Sequence, residues 1–162
     1  MKVSGYVREV CVALVFLTAA ALPQGIKPIN IVEIQTGSTV QRVTDELEVT
    51  LSIHLTIKKG WHINAHWTND PYLIPTAVQL DSSNRYSVKT VTYPPAENIK
   101  LQFSENELAL YEEDAVITAT VIVDKIYAKD SVALKGFVQY QPCNDQTCLF
   151  PVKKPFMTTV KF

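Results

Sequence analysis

Leu47-Glu48-Val49-Thr50-Leu51-Ser52-Ile53-His54-Leu55-Thr56-Ile57 alternates without a break between apolar and polar residues. Side chains of a β-strand point to opposite faces in turn, so this period of two describes a half-buried strand, with positions 47 to 57 of odd number inward and His54 on the solvated side. Working outward, Lys58-Lys59-Gly60 turns the chain into a shorter strand at residues 61–65, and residues 66–75 form a polar loop holding Asn69-Asp70-Pro71. Residues 76–80 and 86–93 read as strands around the turn Asp81-Ser82-Ser83-Asn84. Pro94-Pro95 stops the second of these and opens a long irregular segment, residues 96–107, of the kind that is usually functional or mobile inside a compact domain. Residues 108–111 and 115–123 are further strands, and residues 132–140 and 156–162, rich in β-branched and aromatic residues, flank a hairpin. On the other side of the starting stretch, residues 29–34 are a first strand candidate ended by Thr36-Gly37-Ser38, after a short leader at residues 23–28. The total is about eight or nine short strands, and no sustained helical period follows Leu22. That pattern predicts an all-β domain, an antiparallel β-sandwich of immunoglobulin-like appearance.

The 162 residues are 47% hydrophobic and 19% charged, an ordinary composition for one globular domain. Lys2 and Arg8, the apolar run 10–22 and Ala19-Ala20-Ala21 ahead of Pro23 have the order of a secretory signal peptide, so residues 1–21 are expected to be removed and residues 22–162 to form the domain. The apolar run is short for a membrane span, which needs about 20 residues, and an uncleaved anchor is the alternative. Cys11, preceded by Arg8-Glu9-Val10, is not in a lipoprotein context. Cleavage would leave a near-neutral chain with two cysteines in an oxidising compartment. A net charge of −1 without basic runs offers no footprint for nucleic acid.

The two remaining cysteines lie in Tyr140-Gln141-Pro142-Cys143-Asn144-Asp145-Gln146-Thr147-Cys148-Leu149-Phe150-Pro151, at the expected hairpin tip. Facing residues of an antiparallel non-hydrogen-bonded pair have Cα atoms about 4.5 Å apart, inside the roughly 4.4–6.8 Å that a disulfide accepts, so Cys143 and Cys148 can close without moving the backbone. A disulfide at a hairpin tip is expected to be exposed. So short a loop gains only ~2 kcal/mol from closure, against about 4.7 for a loop of a hundred residues. A staple would be better placed elsewhere. The loop carries no Lys, Arg or His, and Asp145 disfavours a thiolate, so the thiols are expected to be sluggish until a partner supplies an activating environment. A structural disulfide in a non-catalytic immunoglobulin-like binding or chaperone-like module is the competing reading.

Other constellations are weaker. His62 and His66, four apart, would share a side if their strand continued, and with the cysteines would make a Cys2His2 metal site; the Cys-x4-Cys spacing is longer than that of many zinc hairpins, and no metal is expected. Trp61 and Tyr140 read as core or rim aromatics, and Glu112-Glu113-Asp114 as a solvated turn. No hydrolase triad, metal-hydrolase helix or phosphate-binding glycine loop is present in the sequence.

Four pieces in register carry a family likeness over about residues 29–162: Lys59-Gly60-Trp61-His62-Ile63-Asn64-Ala65, Ile74-Pro75-Thr76, Tyr93-Pro94-Pro95 through Phe103 to Tyr111-Glu112, and Tyr140-Gln141-x-Cys143 with Cys148-x-x-Pro151. Together they resemble the N-terminal domain of the thiol:disulfide interchange protein DsbD. The resemblance implies an immunoglobulin-like, periplasmic electron-relay module, a thiol-disulfide oxidoreductase component without cofactor and monomeric. It implies a thioredoxin-like protein or membrane thiol transporter as donor, and exported thiol-disulfide proteins, including those of cytochrome c biogenesis, as acceptors. It makes Cys143 and Cys148 the redox pair, Cys148 the sulfur that partners attack, residues 96–107 a gating segment with Phe103 as the cap over the disulfide, and His62, Asn64 and Tyr140 residues that line the site. Some members have tyrosines where this chain has His62 and Asn64. The membrane and C-terminal thioredoxin-like domains of full DsbD do not follow here, so the donor is expected to be a separate protein.

Overall fold

The computed structural model describes residues 27–43, 46–127 and 131–162. The expected signal peptide, its cleavage point after Ala21 and Cys11 lie outside the described residues. Eleven strands are present among them: β1 (Val32–Val43), β2 (Glu46–Ile57), β3 (His62–Asn64), β4 (Ala77–Leu80), β5 (Tyr86–Thr92), β6 (Glu97–Ile99), β7 (Leu108–Glu112), β8 (Asp114–Val123), β9 (Ser131–Tyr140), β10 (Pro142–Cys143) and β11 (Val152–Lys161). Every pairing is antiparallel, and the strands form three sheets with orders β1-β2-β8-β5, β10-β3-β7-β6 and β11-β9-β4. The antiparallel sandwich expected from the alternation is the fold.

The first sheet is built on β2, whose odd-numbered residues from Leu47 to Ile57 are all buried. They meet the inward residues Ala115, Ile117, Ala119, Val121 and Val123 of β8 in one core, completed by Val132, Leu134, Val138 and Tyr140 of β9, Ile63 of β3 and Ala109 and Tyr111 of β7. Each fully buried aliphatic side chain contributes roughly 1.5–3 kcal/mol, so this shared core is what holds the three sheets together. Tyr140, fully buried, directs its hydroxyl at the carbonyls of Pro28 and Ile29, and burial pushes its phenol up to about 12.

Three expectations are corrected. The first strand is shifted from residues 29–34: Pro28–Asn30 is a 3-10 turn, and β1 begins at Val32 and runs straight through Thr36-Gly37-Ser38. Its ladder with β2 continues unbroken from Val32↔Ile57 to Val43↔Glu46, and pairing with a long partner overrides the local turn propensity of Gly37. The segment 96–107 is not wholly irregular, because β6 pairs there with β7. The strand count rises to eleven through β6 and β10.

Two glycines meet specific backbone demands in the sheets. Gly60 has φ +78°, the left-handed conformation that a glycine adopts without a Cβ penalty, and turns β2 toward β3 with Trp61 N–H donating to the Lys58 carbonyl at 3.0 Å. Gly136 of β9 lies where the backbone of β4 crosses closely: a Cβ there would overlap the Gln79 carbonyl and press on Leu80 and the Phe156 ring. Gly136→Ala should therefore lower the denaturation midpoint by the equivalent of about 1–3 kcal/mol, the usual cost of overpacking. Gly37→Ala, with open space around the added carbon, should change it by less than about 0.5 kcal/mol, as surface substitutions do; equal effects would refute the close approach.

Candidate functional site

β9 and β11 pair from Ser131↔Lys161 to Tyr140↔Val152, so residues 141–151 form their connection. It is not a free hairpin tip. Pro142 and Cys143 leave that sheet and pair with β3 of the neighbouring one, Pro142↔Ile63 and Cys143↔His62. The arm then folds back on itself. Asn144 starts the turn, its Oδ1 accepting from the N–H groups of Gln146 and Thr147 at 2.9 Å each, while Leu149 N–H donates to the Pro142 carbonyl at 2.8 Å. A short polar side chain that mimics a backbone acceptor is what such a turn needs. Cys143 and Cys148 are thereby set opposite one another, Cα atoms 4.0 Å apart, and are joined by a disulfide.

The disulfide is asymmetric. Cys143 is 0% exposed and packs with Leu101, Leu108 and Leu110 in a second, smaller core, whereas Cys148, like Leu73 and Ile99, is only partly buried against it. The expected exposure of the whole pair is corrected for Cys143, because the arm lies across β3 and β7 instead of projecting from β9 and β11. β7 explains how two cores coexist. Ala109 and Tyr111 face the main core and Leu108 and Leu110 the smaller one, so a strand buried on both sides reads as a continuous apolar run.

Polar side chains fasten the arm to this floor. Asn64 Nδ2 donates to the Ile74 carbonyl at 2.9 Å and to Gln141 Oε1 at 3.2 Å; Gln141 Oε1 also accepts from Ile74 N–H at 2.8 Å, and Gln141 Nε2 donates to the Leu149 carbonyl at 3.2 Å. Thr76 closes the set by donating to the Asn64 carbonyl at 2.5 Å. Gln141 and Asn64 thus hold together β3, residues 74–76 and both ends of the cysteine arm. A buried amide pair of this kind is costly to break, since each stranded donor or acceptor loses roughly 1–3 kcal/mol.

The other predicted residues are distributed as follows. His62, 8% exposed, lies on β3 between Cys143 on one side and Glu112 of β7 on the other, with its Nε2 3.5 Å from Glu112 Oε1. Two buried polar atoms have no hydrogen-bond partner among the described residues, His62 Nδ1 and Asn64 Oδ1. His66 does not join His62. β3 ends at Asn64, and His66 instead sets Nδ1 3.2 Å from the Tyr111 hydroxyl and stacks on Tyr93 with ring centroids 4.8 Å apart. The Tyr111 phenol is raised by burial. Tyr140 belongs to the main core and not to the cysteine site, because β9 turns its side chain toward Val138 and Leu134. Phe103 is 43% exposed and borders a cleft whose other wall is Asn69, Pro71 and Tyr72. Its segment is rooted by the fully buried Leu101 and tied by Asn69 Nδ2 donating to the Glu107 carbonyl at 2.8 Å.

Three residues of the site escaped the sequence reading. Leu101 was the apolar neighbour of Phe103 but is the one that packs with Cys143. Glu112, exposed in the solvated turn 112–114 as expected, is also the last residue of β7 and so sits opposite His62, and the apolar run 108–111 continuing into it was the available signal. Gln141 stood in the cysteine stretch with no feature to mark it as buried.

Comparison with known proteins gives one family and one fold. The family described as Thiol:disulfide interchange protein DsbD, N-terminal, matches residues 33–159. Among solved structures, the reduced N-terminal domain of Neisseria meningitidis DsbD superposes with a TM-score of 0.50 at 14% identity, covering 85% of this chain and 91% of that one. The N-terminal periplasmic domain of ScsB from Proteus mirabilis gives a TM-score of 0.48 at 11% identity, covering 79% of this chain and 46% of that one. No curated protein sequence matches the chain.

Proposed function

The chain belongs to the family of the DsbD N-terminal domain, and from that premise we propose that it is an exported electron-relay module whose Cys143–Cys148 pair carries reducing equivalents from a thioredoxin-like donor to exported thiol-disulfide proteins, those serving cytochrome c biogenesis among them. The observation that carries the reading is the asymmetry of the disulfide, one sulfur-bearing residue sealed in a small core and the other at its edge. Exchange needs a thiolate in line with an accessible disulfide sulfur. A donor thiolate attacks Cys148 Sγ, a bond forms between donor sulfur and Cys148, and the Cys143–Cys148 bond breaks with its electron pair leaving on Cys143. The donor's second thiolate then attacks its own sulfur in the mixed disulfide and releases Cys148. The donor ends oxidised to a disulfide and the cysteine pair reduced by two electrons. The same steps in reverse, on an acceptor's disulfide, regenerate the starting state.

Residues 96–107 act in this reading as a gate, with Phe103 the side chain that partners displace. A half-exposed aromatic at a turn moves without opening a core, and Leu101 stays behind to keep Cys143 covered. Export through a cleaved leader at residues 1–21 supplies the compartment in which the disulfide persists.

Trapping decides between the relay and a structural staple. With a thioredoxin-like donor left with only its attacking thiol, Cys143→Ser whose Cys148 carries thionitrobenzoate in disulfide linkage should expel that group and be captured efficiently as a mixed disulfide, and Cys148→Ser treated alike poorly. Capture by the second variant alone would reverse the assignment, and a wild-type disulfide that resists the intact donor in the native fold would make it a staple.

The gate has its own test. Phe103→Ala should speed reduction by dithiothreitol severalfold, because exchange follows access. Its denaturation midpoint should stay close to wild type, since a side chain this exposed does not bring the roughly 3–5 kcal/mol of a buried Phe→Ala change. An unchanged rate would end the assignment.

A further inference from the structure

The proposed exchange leaves a charge to be accommodated. When the disulfide opens at Cys148, the electron pair of the broken bond stays on Cys143, which is 0% exposed in a cluster whose other members are Leu101, Leu108 and Leu110. An ionised group in such surroundings is strongly disfavoured, so a thiolate formed there needs a proton or a cation beside it. The arm itself offers none: its charged side chain is Asp145, which is exposed and of the wrong sign.

The ladder supplies the candidate. Cys143 pairs directly with His62, and His62 in turn with Glu112. Directly opposed residues of an antiparallel pair share a face with Cβ atoms about 4.5–5.5 Å apart. Leu110 and Asn64, two residues along from Glu112 and His62 and paired with each other, are on that same face, which is the face of the smaller core. His62 is therefore next to Cys143 on the buried side of the sheet. Its Nε2 is engaged at 3.5 Å by the Glu112 carboxylate, while its Nδ1 is buried and lacks a partner among the described residues. A buried imidazole nitrogen with nothing to bond is a cost to the fold unless some state of the protein uses it.

We infer that His62 is the acid that protonates or ion-pairs the Cys143 thiolate when the disulfide opens, with Glu112 orienting its ring from the other side. This rests on the exchange chemistry proposed above and adds a residue to it. The groups that the ladder sets against His62 are Glu112 from β7 and Cys143 from β10, while its same-face neighbour on β3 is the neutral Asn64. In the forward step two electrons and two protons pass from the donor dithiol to the cysteine pair. His62 is the station for the proton that Cys143 receives. The Glu112 side chain is 43% exposed and the His62 side chain 10%, so the imidazole can be recharged from solvent along the carboxylate. In the reverse step Cys143 returns its proton to His62 as its sulfur closes on Cys148.

The test uses dithiothreitol as reductant, so that it does not depend on any partner. In Cys148→Ser, where Cys143 is the remaining thiol of residues 27–162, ultraviolet thiolate absorbance should show Cys143 titrating below the ordinary value of about 8.5. Adding His62→Phe should raise that midpoint by about one unit, as loss of an adjacent cation does. In the otherwise native protein His62→Phe should slow reduction by dithiothreitol at neutral pH by about tenfold, the leaving thiolate being less stable. Because either substitution alters the smaller core itself, the unsubstituted protein gives the deciding signal: the ring resonances of His62 should titrate at higher pH in the reduced form than in the disulfide form. Identical His62 titrations in the two forms, or a Cys143 midpoint and reduction rate indifferent to His62→Phe, would overturn the assignment. Failure of trapping by a thioredoxin-like dithiol with the His62 dependence intact would sink the relay and leave the His62 pairing standing.

Discussion

The pairing of Pro142 and Cys143 with Ile63 and His62 is the contact on which the site depends. Without it, residues 141–151 would be a solvated loop between β9 and β11, and both sulfurs would be equally open. With it, the arm is pulled onto the outer face of β3 and β7, where Leu101, Leu108 and Leu110 close over Cys143. The hydrogen bonds of Gln141 and Asn64 secure the arm at its root and at Leu149, so the turn from Asn144 to Thr147 carries Cys148 at the rim. A single two-residue ladder thereby converts a symmetric pair of cysteines into one protected and one approachable sulfur.

That arrangement asks for a strand with two apolar faces, and β7 has it only because the main sandwich already fills its other side with Ala109 and Tyr111. The large core and the small one are energetically linked through this strand. The corner at Glu113, with φ 55° and its carbonyl accepting from Ile57 N–H at 2.6 Å, passes the chain from β7 straight into β8 of the opposing sheet and fixes where β7, and Glu112 at its end, must stop. The cysteine arm is thus mounted on the paired strands β3 and β7, while Phe103 of segment 96–107 and Tyr72 are exposed.

Much of the fold was legible because strands with one wet face advertise themselves. The alternation 47–57 and 115–123 placed β2 and β8 almost to the residue. β1 was truncated in the reading because Gly37 and its neighbours look like a turn, and nothing local reveals that a twelve-residue partner waits beside them. The cysteines were legible as a pair, but they close across the arm's own turn with Cα atoms 4.0 Å apart and not across a tip of the β9–β11 hairpin. Their unequal burial was not, since it comes from a contact between residues 62 and 143 that no short-range pattern encodes. For the same reason the loop was judged to lack any cation while His62 stood across the ladder from it, whereas Tyr140 is the core aromatic that the residues suggested and not the site-lining one that the resemblance implied.

Unequal burial should make the two sulfurs unequal toward an incoming thiol. Exposing the unsubstituted disulfide protein to glutathione, quenching early with acid and mapping the mixed disulfide by peptide mass spectrometry reads this out. Glutathione is expected on Cys148 with Cys143 free, because attack requires an accessible sulfur. Glutathione found mainly on Cys143, or shared evenly between the two, would contradict it.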